Sequence, residues 1–173
     1  MYKRQIQHPE FEKAETEVIA QIDAFLNNSG KNSVDFYHKK LGKIMWDKCG
    51  MSRNEKGLKK AIKEIQDLRE DFYKNINVPG NANEFNEQLA KAGRVADFLE
   101  LGELFAKDAL ERTESCGGHF REESQTPEGE ALRDDKKFTF VSAWEFKGAP
   151  SKAKLHKEEL KYEEIEVKTR SYK

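Results

Sequence analysis

Long apolar runs are absent from this sequence. No stretch approaches the roughly 20 apolar residues that a helix needs to cross a bilayer. The first residues, Met1 to Ile6, also lack the apolar core of a signal peptide. We therefore expect a soluble chain that is not exported by that route.

Cysteine and net charge are scarce as well. Cys49 and Cys116 are the only cysteines among 173 residues, too few for a disulfide scaffold, so a reducing compartment is expected. The 31 basic and 32 acidic residues give a formal net charge of -1, without the basic excess that nucleic-acid-binding proteins carry. With 36% charged and 36% hydrophobic residues, the composition favours amphipathic helices over a thick buried sheet.

Apolar residues recur every three or four positions in four segments, which predicts four helices. The segments are about 10–27, 34–49, 52–72 and 84–112. Ser52 to Glu55 has the form of a capping box for the third helix. Trp46 lies off the apolar stripe of the second helix, so it is placed to pack against something outside a simple bundle. The fourth helix is apolar over much of its circumference and is predicted to lie at the centre of the bundle.

A polar, irregular stretch and an aromatic tail follow the helices. Residues 138–146 alternate aromatic with other side chains at period two, which predicts a strand. Its partner is predicted from later apolar residues, with a bulge near Glu163: Leu160, Tyr162, Ile165 and Val167. A lone hairpin is marginal in water, so its aromatic face must lie on the helices or on protein outside this chain.

These patterns predict a mainly α fold class. We expect a three- or four-helix bundle, spectrin-repeat-like, followed by an irregular loop and a small antiparallel β-hairpin tail. The expected segments are a leading linker and helix at 1–32, a helical bundle at 33–112, a polar motif loop at 113–137 and the hairpin tail at 138–173.

Four residues near the start of the loop could carry chemistry. Cys116 and His119 can be interpreted as a thiol–imidazole pair or as part of a metal site. A nucleophile, however, needs a base within hydrogen-bond reach, and structural zinc needs four ligands. Gly117 and Gly118 come after a helix, whereas phosphate-binding glycines precede one. No GxGxxG or GxxxxGKS/T pattern occurs, so the sequence does not favour a self-contained nucleotide site.

Charged residues are dense in this stretch. They are Glu114, His119, Arg121, Glu122, Glu123, Arg133, Asp134 and Asp135. Two interpretations stay open: ordinary surface charge, or an ion-pair network that fixes the loop against a neighbouring domain. Arginine suits the second, because its planar fork binds carboxylates bidentately. On that interpretation, replacing Arg121 or Asp134 by alanine barely alters the stability of this chain by itself.

The same stretch resembles a known family, the flavoprotein subunits of succinate dehydrogenase and fumarate reductase with their L-aspartate oxidase relatives. After a long helix, the family carries Arg-x-Glu-Ser-Arg-Gly-x-His-x-Arg, then a short acidic segment with proline, then Arg-Asp-Asp. Here residues 112–121 read Arg-Thr-Glu-Ser-Cys-Gly-Gly-His-Phe-Arg, with Cys116 in place of the arginine. The positions that match the motif are Arg112, Glu114, Ser115, Gly117, His119, Arg121, Arg133, Asp134 and Asp135. Residues 41–54 and 74–78 also resemble family segments, in the same order.

The resemblance implies that this chain is the C-terminal helical domain of such a flavoprotein. The parent interconverts succinate and fumarate through FAD, which the family binds in a Rossmann-like domain, with a capping domain over the dicarboxylate. No catalytic, cofactor-binding or metal-binding residue carries over, so the fragment alone is expected to bind no FAD and to be inactive. The matching loop residues are expected to be structural and inter-domain.

The resemblance also implies partners and a location. The partners are the parent's own flavin-binding and capping domains and an iron–sulfur subunit, with a membrane anchor subunit contacted indirectly and no nucleic acid. The parent complex is cytoplasmic and peripheral on the cytoplasmic face of the inner membrane. Two alternatives remain open: a stand-alone helical protein-interaction module without catalysis, and a small thiol- or metal-dependent enzyme built on Cys116 and His119.

Overall fold

The computed structural model describes residues 8–168. The helices are α1 Pro9–Leu26, α2 Val34–Cys49, α3 Glu55–Asn75, α4 Glu87–Glu111 and the short α5 Asp135–Phe138. The strands are β1 Asn32–Ser33, β2 Ile76–Asn77, β3 Phe140–Glu145 and β4 Lys154–Glu159. The predicted fold class, mainly α with a small antiparallel hairpin near the C-terminus, is confirmed. Within residues 8–168, no helix combines the length and apolar character that a membrane span requires.

The chain divides into two compact units. The first contains the described residues up to Lys40 together with Leu68–Asp97. The second contains Leu41–Asp67 together with the described residues from Phe98 onward. The division into four successive segments stays a prediction.

An aromatic cluster forms the core of the first unit. Phe72 is completely buried and meets Phe25 and Tyr37 edge-to-face, at centroid distances of 5.8 and 5.2 Å. Phe25 is the buried residue that α1 contributes. The rest of the predicted apolar stripe of α1 is largely exposed, with Phe11 and Val18 each 54% accessible. The C-terminal end of α1, through Phe25, therefore packs this helix against the rest of the unit.

The chain after α1 makes a very close backbone contact in the same unit. The short strands β1 and β2 pair in parallel, with Asn32 opposite Ile76. The Asn28 side chain donates a hydrogen bond to the Tyr73 carbonyl at 2.8 Å. A Cβ atom on Gly30 would lie 2.0 Å from the carbonyl carbon of Asn75. Glycine is therefore required at position 30.

The core of the second unit is aliphatic. Its buried aliphatic residues on α2, α3 and α4 are Leu41, Ile44, Leu58, Ala61, Ile65, Leu99, Ala106 and Ala109. Gly102 lets α4 approach closely, since a Cβ there would touch Leu41 and Met45 at 3.4 Å. Trp46 lies off this buried face and is 83% exposed.

Two helices start later than the sequence predicts. The capping box at Ser52 is wrong, because α3 begins at Glu55 and Asn54 caps it by accepting the N–H three residues later at 2.7 Å. Asn86 caps α4 in the same way at 3.0 Å, which leaves Phe85 outside the helix and 92% exposed. In both cases an asparagine, one of the strongest N-cap residues, sets the boundary.

The C-terminal hairpin confirms the first predicted strand but not the second. In the antiparallel pair, Trp144 lies opposite Leu155, and β3 alternates half-buried and exposed side chains. The predicted second strand is wrong, because β4 ends before Leu160 and residues 160–168 form no strand. Gly148, with a φ of 84°, and the 3-10 turn Pro150–Lys152 reverse the chain early. The residues that follow immediately therefore pair with β3, although most of them are charged.

The aromatic face of the hairpin lies on α4. The Trp144 indole N–H donates to Asp108 Oδ1 at 2.8 Å. The Lys107 ammonium lies 5.0 Å from the Trp144 ring centroid and donates to the carbonyls of Pro150 and Ala153, each at 3.2 Å. Protein within this chain therefore covers the Trp144 part of that face, while Phe146 is 62% exposed.

Gly30→Ala is expected to destabilise the chain by about 1–3 kcal/mol, because the new methyl group overlaps the Asn75 backbone. Gly93, inside α4, is the matched control, since nothing lies within 4 Å of its Cβ position. Gly93→Ala is expected to stabilise by roughly 0.5–1 kcal/mol through helix propensity. Urea unfolding of both variants beside the unchanged chain measures these effects, and changes of the same sign would contradict the packing described for Gly30.

Candidate functional site

The motif loop occupies residues 112–134, between α4 and α5, and pairs with the turn that joins α2 to α3. The Arg53 N–H in that turn donates to the Phe120 carbonyl at 3.0 Å. The Arg53 carbonyl in turn accepts the Glu122 N–H at 2.8 Å. Both segments belong to the second unit. The backbone of the loop is thus fixed to the start of α3.

Two carboxylates of the loop add side-chain contacts to the same region. Ser52 Oγ and Asn54 Nδ2 each donate to the Glu122 carboxylate at 2.8 Å. Glu123 Oε1 accepts the N–H of Glu55, the first residue of α3, at 2.6 Å. Negative charge at a helix N-terminus is favourable, because the N–H groups there have no intrahelical partner. The loop therefore completes the first turn of α3.

Arg121 stabilises the C-terminal end of α4. Its side chain is buried, and Nη1 donates to the carbonyls of Ala109, Leu110 and Arg112 at 2.9, 3.3 and 3.4 Å. Its Nε donates to Glu123 Oε2 at 3.1 Å. The last carbonyls of a helix lack intrahelical donors, and a cation near them is favoured by the helix dipole. Arg121 therefore caps α4 from within the loop.

Glu114 and Ser115 are buried polar residues whose hydrogen bonds are satisfied inside the loop. Glu114 Oε1 accepts Arg112 Nη1 at 2.8 Å, and Oε2 accepts the Asp134 N–H at 2.9 Å. Ser115 Oγ accepts the Arg121 N–H at 2.8 Å and donates to the Arg121 carbonyl at 3.2 Å. Buried polar groups are stable only when paired in this way. These bonds join the two ends of the loop.

His119 bridges two arginines of different segments. Its Nε2 lies 2.8 Å from the Arg112 carbonyl and its Nδ1 lies 2.9 Å from Arg53 Nη1. A guanidinium can only donate, so Nδ1 accepts and the proton sits on Nε2, which makes His119 neutral. Burial lowers the pKa of His119, the hydrogen bond to Arg112 opposes that shift, and the charges of Arg53, Arg121 and Arg112 add to it.

The second part of the motif makes more exposed pairs. Arg133 donates through Nη2 and Nε to Asp135 Oδ1 at 2.6 and 3.0 Å, and through Nη1 to the Lys168 carbonyl at 3.3 Å. Asp134 Oδ2 lies 3.1 Å from Lys137 Nζ. Such partly exposed pairs contribute about 0–1 kcal/mol each. This end of the loop depends more on the Asp134 backbone than on its charge.

The Cys116 to His119 segment is a tight turn. The Cys116 N–H donates to the His119 carbonyl at 2.8 Å, and the His119 N–H donates back at 3.1 Å. Gly117 has a φ of 58°, which suits the first central position of a type II′ turn. Both ring nitrogens of His119 are engaged elsewhere, so the geometry does not support a thiol–imidazole pair with Cys116.

Two further ligand classes find no matching geometry here. Among residues 8–168, no three His, Cys, Asp or Glu side chains are grouped to hold a metal ion. Gly117 and Gly118 follow α4, whereas the glycines of phosphate-binding loops precede a helix whose N–H groups face the anion.

The structure connects most of the residues that the motif singled out. Arg112, Glu114, Ser115, His119 and Arg121 form one network at the end of α4, and Asp134 joins it through its backbone. Gly117 shapes the turn, while Arg133 and Asp135 pair beside the network. Sequence reasoning missed Arg53 as a member. The one signal for it was that residues 41–54 resemble a segment of the same family.

Comparison with known proteins supports that resemblance. A family model described as "Fumarate reductase flavoprotein C-term" matches residues 38–172. The fumarate reductase flavoprotein subunit of Helicobacter pylori is 33% identical over 144 residues, which is 82% of this chain and 18% of that protein. The corresponding subunit of Haemophilus influenzae is 30% identical over 105 residues, which is 61% of this chain and 17% of that protein.

A solved structure shares the fold. An Escherichia coli quinol fumarate reductase chain superposes with a TM-score of 0.77 at 23% identity, covering 91% of this chain and 26% of that one. This chain thus spans less than a fifth of the length of the two curated relatives.

The contacts of Arg121 change one expectation drawn from the sequence. Arg121→Ala is expected to destabilise this chain by at least about 2 kcal/mol, because the carbonyls of Ala109 and Leu110 lose the Arg121 donor, at about 1–3 kcal/mol for an unsatisfied group. Arg94→Ala, at an exposed arginine, is the control and is expected to stay within about 0.5 kcal/mol. Urea unfolding measures both. If Arg121→Ala changes the stability as little as Arg94→Ala does, the loop is not needed for the stability of this chain, and the interpretation that it fixes a neighbouring domain is favoured instead.

His119 is expected to make stability fall with acidification. Its pKa in the folded chain lies below the value of about 6.5 that it has when unfolded, so the unfolded chain takes up the proton first. Its stabilising contribution is therefore fully present above about pH 6.5 and is lost as the pH falls below that value. Unfolding measured from pH 8 to pH 5 should show a smaller loss in His119→Gln than in the unchanged chain. Parallel pH profiles would contradict the neutral bridge.

Proposed function

The chain belongs to the fumarate reductase flavoprotein C-terminal family, and on that basis we propose that it serves as the C-terminal helical domain of a succinate dehydrogenase or fumarate reductase flavoprotein. The whole protein interconverts succinate and fumarate through FAD. The observation that carries this proposal is the buried network of residues 112–134, which gives the family motif a definite three-dimensional role. That network caps α4 and supports the start of α3.

The domain's task in this proposal is to present a rigid surface rather than to perform chemistry. The motif residues use their hydrogen-bonding groups on one another and on helix ends, so the loop is held in one shape before any partner arrives. The flavin and the dicarboxylate belong to the flavin-binding and capping domains, and this chain packs on the flavin-binding domain and the iron–sulfur subunit. A membrane anchor subunit is reached indirectly, with the complex peripheral on the cytoplasmic face of the inner membrane.

A stand-alone helical interaction module is the second candidate. The exposed apolar side of α1 favours it, since Phe11, Val18 and Ile19 are each more than half accessible. The two candidates separate on one observation: the first requires a flavin-binding polypeptide that assembles with this chain, and the second does not.

The purified chain is expected to be colourless and to show no succinate or fumarate activity, because its sequence carries neither a GxGxxG nor a GxxxxGKS/T phosphate-binding pattern. Absorbance near 450 nm and a dye-coupled fumarate assay check this, with an intact fumarate reductase flavoprotein as the positive control. A yellow preparation with one FAD per chain would overturn the division of labour proposed here.

A further inference from the structure

A pocket of about 490 Å³ opens beside the end of α2 in the second unit. Its lining includes Trp46, Cys49, Met51, Arg53 and Gly118. Trp46 and Met51 are 83% and 90% exposed. We call Trp46, Met51 and Arg53 the pocket patch.

The apolar part of the pocket patch has no function in the core of this chain. The buried residues of α2 in this unit are Leu41, Ile44 and Cys49, whereas Trp46 is exposed. Large exposed apolar groups gathered around a pocket mark interaction sites. Tryptophan in particular is enriched among the few residues that dominate interface energetics.

The charged part of the pocket patch is not neutralised. Arg53 Nε donates to the Gly50 carbonyl, and its guanidinium lies over the Phe105 ring. Its Nη1 donates to His119, which is neutral. Among the contacts described for residues 8–168, those of the Arg53 guanidinium are with a carbonyl, an imidazole and an aromatic ring, and none is with a carboxylate. The nearby Glu122 carboxylate is occupied by Ser52 and Asn54.

A half-buried arginine beside exposed apolar groups fits a partner that brings a carboxylate next to an apolar side chain. The curated relatives offer one candidate for this partner in their own polypeptide, because more than four fifths of their length lies outside the part that this chain matches. That remainder is present at one copy for each copy of the domain.

We propose that the pocket patch is the docking surface for the flavin-binding part of the flavoprotein. There it receives an acidic side chain on Arg53 and an adjacent apolar side chain between Trp46 and Met51. This inference rests on the proposed function and specifies where the contact is made.

The test measures binding of the full 173-residue chain to the Helicobacter pylori flavoprotein truncated before the matched region. Bound FAD, measured by absorbance near 450 nm, verifies that the truncated flavoprotein is folded. The double variant Trp46→Ala, Met51→Ala should raise the dissociation constant tenfold or more. The matched control is Val141→Ala with Phe146→Ala, which removes exposed apolar groups elsewhere in the same unit and should change it less than twofold. Thermal unfolding confirms that each variant folds, which the exposure of all four side chains favours.

A charge swap at Met51 tests the acidic partner directly. Met51→Glu places a carboxylate beside Arg53 and should raise the dissociation constant tenfold or more. The dissociation constant of Met51→Lys should be at least fivefold lower than that of Met51→Glu. The same four variants, measured in a fusion of the two polypeptides by the rate of FAD loss on dilution, give a second readout of the contact.

The outcomes separate the two levels of the proposal. Failure of the unchanged chain to bind the flavin-bearing part would overturn the proposed function together with this surface. Binding that is equally tight for the pocket and control variants would overturn the surface alone. Equal effects of Met51→Glu and Met51→Lys would overturn the acidic partner, and self-association lost with the same variants would replace the flavin-binding part with a second copy of the chain.

Discussion

The carbonyl oxygens left without partners at the C-terminal end of α4 are the constraint on which the second unit depends. A buried arginine, Arg121, donates to them, and the first of these carbonyls, that of Ala109, lies twelve residues before it in the chain. To reach them, the chain must double back at once, and the Cys116 to His119 turn lets it do so. The same return carries Glu122 and Glu123 to the start of α3. One polar loop therefore finishes two helices at opposite kinds of terminus, with the charge sign that each requires.

The crowding of arginines around His119 explains why that residue works as an acceptor. Arg53, Arg112 and Arg121 all lie close to the imidazole, so a second proton on the ring would add a fourth positive charge. The neutral ring accepts a hydrogen bond from the Arg53 side chain and donates one to the Arg112 carbonyl. Because Glu114 and Glu123 balance Arg112 and Arg121, the remaining charge of the cluster belongs to Arg53, at the edge of the pocket.

The sequence predicts the helices well because their periodic apolar residues, such as Leu58, Ile65 and Phe72 on α3, become buried. Helix starts were predicted less well where two polar residues competed, as Ser52 and Asn54 do. The position of β4 could not be read from hydrophobicity, since its register follows from an early chain reversal rather than from its own side chains. The family motif identified the loop residues. Spacing along the chain could not reveal that the Arg121 side chain is buried, or that Arg53, in the turn between α2 and α3, contacts the loop.

The hydrogen bond between the Glu55 N–H and the Glu123 carboxylate spans 68 positions of sequence. During synthesis, the start of α3 leaves the ribosome long before the residue that completes it. At about 5–20 residues per second, the delay is roughly 3–14 s. Throughout that interval, the first turn of α3 has the Asn54 side chain as its cap and lacks the loop carboxylate. The motif loop thus makes the second unit late-forming during translation, with its final hydrogen bonds closing only after Glu123 has emerged.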